Sequence, residues 1–195
     1  MRAILWTIRT SREGAAALKT LHLLRHAKAG EGDPGGTDHA RPLVERGVAD
    51  AKAMGLYLRK EKVAVDRVYS SSSQRTRETY DLIAPGLPKA QVAFRDRLYL
   101  IDASDLIELI QGLPDTADSV MLVGHNPTYY VTALTLLKEA AAGQSEPFKA
   151  LKEKFSTGAL ASMTFNVEHW RDVRAASGTL IAYVRPKDVG GGKNA

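Results

Sequence analysis

The sequence contains no cysteine, which excludes disulfides, thiolate metal sites and a cysteine nucleophile. No apolar run approaches the roughly 20 residues a membrane span needs, so no membrane partner is expected. Histidine is sparse, five in 195 residues, and none stands in HExxH or a comparable ligand spacing. Neither a metal nor any other cofactor is therefore expected. The serines at 70–73 lack the G-x-S-x-G elbow and read as capping and phosphate-loop hydroxyls rather than nucleophiles. Internal repeats are absent too.

Charge is present, but at the ends. The formal net charge is +5. Residues 1–20 hold Arg2, Arg9, Arg12 and Lys19 against Glu13, and the tail from Pro186 holds Lys187 and Lys193 against Asp188. The body is close to neutral and carries no basic run interleaved with aromatics, so no nucleic-acid partner is expected. With 44% apolar and 25% charged residues, the chain fits one domain with a sizeable core. That domain is expected over 19–187, with 1–18 an extension outside the fold and 188–195 a flexible tail around Gly190–Gly192. The apolar stretch Ala3 to Ile8 is too short, and too soon interrupted by arginine, for a secretory signal. The extension, Arg-rich and acid-poor, reads as a non-native start or a targeting segment. A cytoplasmic monomer is the default.

What remains alternates between strands and helices. Thr20–Arg25, Val65–Tyr69, Ser119–Val123, Ala159–Phe165 and Thr179–Val184 read as strands. Leu43–Lys62, Ser71–Ala84, Ala103–Leu113 and Glu146–Phe155 read as helices, Ser71 and Gln74 having capping-box spacing. A further helix opens at Asn126-Pro127, with Asn126 as N-cap and Pro127 at the first position. Such alternation predicts an α/β sheet covered on both faces.

Three strand ends then carry the chemistry. Arg25 and His26 end the first, the serine run and Arg75 follow the second, and Gly124-His125 follows the third. Ligands of open α/β sheets bind outside the carboxyl ends of the strands, where helix N-termini favour anions. Two arginine forks suit a phosphoryl oxygen array. Neutral imidazole is a competent nucleophile near pH 7 without a metal. A protonated second histidine would add a donor and a charge.

At these residues the chain resembles the histidine phosphatase superfamily, formerly grouped with the phosphoglycerate mutases. LLRHAKAG matches its Arg-His motif and LVGHNP its second-histidine motif. DHARPLVERG (Asp38–Gly47), VYSSSSQRTRET (Val68–Thr79) and FSTGALASMTF (Phe155–Phe165) are similar to the SixA-like, phosphohistidine phosphatase branch. The resemblance runs from about Leu21 to Pro186. It implies an α/β, three-layer sandwich with a mixed, mostly parallel sheet between helices. It also implies His26 as nucleophile, Arg25, Arg75 and His125 as phosphoryl ligands, and a phosphorylated small molecule or a phosphohistidine protein as partner. Ser71 and Asn126 join the expected binding residues. Two positions depart from the superfamily pattern. Ala27 stands where glycine usually follows the nucleophile. In the segment RLYLIDASDLIEL the nearest candidate for the usual Glu or Asp proton donor is Asp102, and Asp102 is at least as well placed to cap a helix.

Other patterns lead elsewhere. Gly30, Gly32 and Gly35 satisfy GxGxxG, but Pro34, Gly36 and Pro42 delay the helix that a dinucleotide fold requires at once. His22 reads as a packing residue of the first strand, His39 as a solvated loop residue, and His169 lies far from the motifs. Two rival functions remain: a phosphatase or mutase of small phosphate esters, and a non-catalytic module that binds a phosphorylated ligand.

Overall fold

The strand that begins the fold has side chains pointing alternately to opposite faces, as an extended backbone requires. In β1 (Leu18–Arg25), Leu21 and Leu23 enter one apolar core while Leu24 enters another. The computed structural model describes residues 18–32, 34–138 and 145–191. Among them are five more strands, β2 (Arg67–Ser71), β3 (Gln91–Arg95), β4 (Ser119–Gly124), β5 (Leu160–Asn166) and β6 (Thr179–Val184). The helices are α1 (Glu45–Lys60), α2 (Gln74–Ile83), α3 (Ala103–Gln111), α4 (Thr128–Leu136) and α5 (Glu146–Glu153).

The six strands form one sheet in the order β3-β2-β4-β1-β5-β6. The first four are mutually parallel, β5 is antiparallel to β1, and β6 is antiparallel to β5. Met54 and Leu58 of α1 and Ile83 of α2 pack on one face with Met121 and Val123 of β4. Leu106 and Ile110 of α3, Tyr129 and Ala133 of α4, and Phe148 and Leu151 of α5 pack on the other with Val120 and Leu122. This is the expected three-layer sandwich around a mixed, mostly parallel sheet. β4 lies between β1 and β2 and is buried throughout, which is why its sequence is an unbroken apolar run.

Several local expectations are corrected. Leu18 and Lys19 already belong to β1, and residues 1–17 lie outside the described part of the chain. The expected flexible tail begins too early. Asp188 chelates the Arg185 guanidinium, and Gly191 donates its N–H to Pro186 O, so residues 188–191 pack on the domain. β3 had no apolar signature because it is an exposed edge strand. Ser71 ends β2 instead of starting a helix, and α2 takes Ser73 as its N-cap residue. Asn126 does not cap α4. Pro127 holds that position, and the Asn126 amide turns away to donate to Phe155 O at 3.1 Å.

Candidate active site

β1 and β4 are paired in register, Arg25 opposite Gly124, so the residues that follow them leave the sheet side by side. His26 N–H donates to Gly124 O at 3.0 Å, and the His26 and His125 rings lie 5.2 Å apart, tilted by 54°. The backbone here is clamped. Ala27 N–H donates to Thr79 Oγ1 of α2, and Gly158 N–H is shared by the carbonyls of Arg25 and His26. Gly158 has φ +69°, a conformation that favours glycine. Ala27 has no positive φ and is fully buried, so a methyl in place of the usual hydrogen costs no backbone strain.

The tautomer of His26 follows from its partner. Its Nδ1 lies 2.7 Å from Ala27 O, and a carbonyl oxygen can only accept. Nδ1 therefore carries the proton, and in the neutral ring Nε2 carries the lone pair. Burial lowers the His26 pKa to about 4, with Arg75, Arg25 and Arg41 pushing the same way against the Ala27 carbonyl. His26 is neutral at pH 7 with Nε2 unprotonated. Such a ring has a lone pair available for nucleophilic attack.

His125 lies within hydrogen-bond reach of Ser71 Oγ through Nε2 at 2.9 Å, while its Nδ1 is buried without a partner. Burial, His26 and Arg75 lower its pKa to about 3. The expected protonated second histidine is thus neutral in the free protein, because two buried imidazoles and an arginine stand together. A bound phosphoryl dianion acts in the opposite direction on both rings. Arg25 donates from Nη1 to Phe155 O at 2.8 Å, and its Nε is buried without a partner. Phe155 O therefore ties both Arg25 and Asn126 to the same loop.

Arg75 is almost fully buried, and both of its Nη atoms donate to Asp38: Nη1 to the backbone carbonyl at 2.6 Å, Nη2 to Oδ2 at 2.9 Å. Tyr99 O–H donates to Asp38 Oδ2 at 2.6 Å, and Arg41 Nη1 to Oδ1 at 2.7 Å. The Tyr99 ring stands edge-on to His125 and to His39. His39 is no free loop residue: its Nε2 reaches Ser72 Oγ at 3.0 Å. Asp38, Arg41 and Tyr99 had not been singled out as site residues, although Asp38 and Arg41 lie in the DHARPLVERG stretch. They come from loops and single 3-10 turns, which carry no periodicity.

Asp102 is the N-cap of α3 and accepts from Asp105 N–H at 2.9 Å and from Ser104 O–H. These bonds hold its carboxyl below the usual range, so it is a poor proton donor. Among the described residues no three His, Asp or Glu side chains cluster as a metal site, and no helix is long and apolar enough to cross a membrane. His22 is buried in the middle of β1 between Ser162 Oγ and Ser119 Oγ, and burial lowers its pKa to about 4. It is a core residue, as read. His169 pairs with Asp115, away from the site.

A neutral imidazole, a half-buried Arg25 and a buried Arg75 at the carboxyl rim of the parallel strands make an α/β site suited to a phosphoryl group. Residues 21–111 match the model of the histidine phosphatase superfamily (branch 1). The uncharacterized protein Rv1276c of Mycobacterium tuberculosis is 33% identical over 165 residues, 84% of this chain and all of that one. A structure from Nakamurella multipartitia, assigned as the phosphohistidine phosphatase SixA, superposes with a TM-score of 0.75 at 32% identity. It covers 88% of this chain and 98% of its own. A second SixA assignment, from Agrobacterium tumefaciens, gives 0.70 at 29% identity over 86% and 98%. The chain belongs to the histidine phosphatase superfamily, in its SixA-like branch.

Proposed function

We propose that the protein hydrolyses phosphohistidine, free or on a protein, through a covalent phosphohistidine on His26. The observation that carries the reading is the neutral His26 ring, its Nδ1 proton committed to Ala27 O, its Nε2 lone pair left free, with Arg75 and Arg25 acting on its charge and the His125 ring 5.2 Å away. In the first step Nε2 attacks phosphorus, an Nε2–P bond forms, and the bond from phosphorus to the leaving nitrogen breaks. The arginines offset the charge on the equatorial oxygens. Water then attacks the phosphorylated His26, releasing inorganic phosphate and returning the lone pair to Nε2. No step asks for a metal, so turnover should survive EDTA.

The substrate class follows from the carboxylates. Asp102 is occupied as a cap, and Asp38, which contacts Arg75, is held well below the usual range by Tyr99 and Arg41. Neither is suited to donate a proton. An alkoxide leaving group needs such a donor, worth about 10²–10⁴-fold. A phosphoramidate nitrogen does not, since imidazole titrates near pH 6.5 and solvent can protonate it. Comparing kcat/KM on phosphohistidine, an aryl phosphate and phosphoserine tests this. The expected order is that order, with His26→Ala inactive on all three and the acid-labile phosphate mapped to His26. A preference for phosphoserine, or label on another residue, overturns the reading.

A further inference from the structure

Arg75 does not hold its own orientation. Its side chain is 8% exposed, yet its charge is met by the carboxylate of Asp38, which is 53% exposed. Both Nη atoms end on that one residue, Nη1 on its carbonyl and Nη2 on its carboxylate. The same carboxylate accepts Tyr99 O–H on Oδ2 and Arg41 Nη1 on Oδ1, and Arg41 Nε is anchored in turn on Gly30 O. Three donors from three separate segments thus meet on one side chain. Tyr99, held this way, stacks its edge on His125 and lies 5.7 Å from the Arg75 guanidinium.

With Asp38 half-exposed, solvent screens its ion pairs and their contribution to folding is modest, so stability alone does not account for three donors converging on it. Geometry does. Arginine has five N–H donors in a fixed fork. With two of them committed to Asp38, the plane of the fork is set and the other three remain for an anion. We propose that Asp38 is the positioning residue of the phosphoryl site, aligning Arg75 directly and bracing Tyr99 against His125. Its consequence for turnover rests on the phosphatase reading above; its consequence for anion binding does not. The alternative role for a carboxylate at this point is a competitor that fills the Arg75 fork until phosphate displaces it. The two roles predict opposite signs.

The experiment is a double-mutant cycle on Asp38→Ala and Arg75→Ala, read as vanadate affinity and as kcat/KM on an aryl phosphate. A positioning residue gives weaker vanadate binding and lower kcat/KM in Asp38→Ala, each on the order of tenfold, with little further loss in the Arg75→Ala background. Tyr99→Phe, which removes one hydroxyl and keeps the ring, gives a smaller loss of the same sign and carries the test if Asp38→Ala does not fold. Tighter vanadate binding in Asp38→Ala, equal losses in both backgrounds, or no change would each overturn the proposal. If the wild-type protein shows no turnover while the vanadate cycle still couples, the phosphatase reading falls and the positioning role stands.

Discussion

At the scale of single residues, the four residues proposed for the phosphoryl site each sit beside a landmark in the sequence. His26 and Arg25 end an apolar run, Arg75 follows a serine run that starts a helix, and His125 follows an apolar strand and a glycine. Asp38, Arg41 and Tyr99 have no such landmark; only the folded chain brings them to Arg75. The protonation of the histidines was likewise unreadable, since it depends on burial and on arginine neighbours. It has a direct consequence. Imidazole reacts with diethyl pyrocarbonate only when unprotonated, and His26 and His125 are held to about 4 and about 3. Inactivation should therefore keep its full rate constant at pH 6 and fall only as the pH approaches about 4, with vanadate protecting. A midpoint near pH 6.5, the ordinary value for histidine, would mean the rings are hydrated and the electrostatics of the pocket are misread.

At the scale of elements, the sheet strands with apolar faces were legible and the exposed edge was not. QVAFR of β3 pairs with β2 without burying a face of its own. Caps were the other failure. Asn126 and Ser71 both have the right side chain for an N-cap, but tertiary partners claim them, Phe155 O in one case and His125 in the other. The junction of β4 and α4 is also where packing is tightest. A Cβ on Gly124 would lie 2.5 Å from two ring carbons and the hydroxyl oxygen of Tyr129, and that side chain is fully buried. Gly124→Ala must displace either the ring or the strand end that carries His125. The expected loss is about 2 kcal/mol of stability, typical of overpacking, together with reduced turnover, read by urea denaturation and steady-state kinetics. A loss below about 0.5 kcal/mol, the scale of surface substitutions, would show that the ring moves aside freely.

At the scale of the whole molecule, three buried histidines tie folding to pH. His22 and His26 are held to about 4 and His125 to about 3, against an ordinary value near 6.5 in the unfolded chain. Between those limits the unfolded chain binds protons that the fold excludes. Stability is therefore full above about pH 6.5 and declines as the pH falls through that window. At pH 5 the cost is on the order of 2 kcal/mol for the fully buried His22, and His26 and His125 act in the same direction. Urea titrations at pH 7 and pH 5 should show a clearly lower midpoint at pH 5; equal midpoints would mean that these rings charge in place. The parallel pairing of β1 with β4 reaches further. Thr20 is opposite Ser119 and Arg25 opposite Gly124, with α1, β2, α2, β3 and α3 intervening in the chain. During synthesis His26 leaves the ribosome long before His125, and long-range parallel pairing is slow to form. A nascent chain that stops short of Ser119 has Arg25, His26 and Arg75 but lacks β4 and His125. Because β4 lies between β1 and β2, His125 can reach His26 only once β4 has been made and paired with both neighbours.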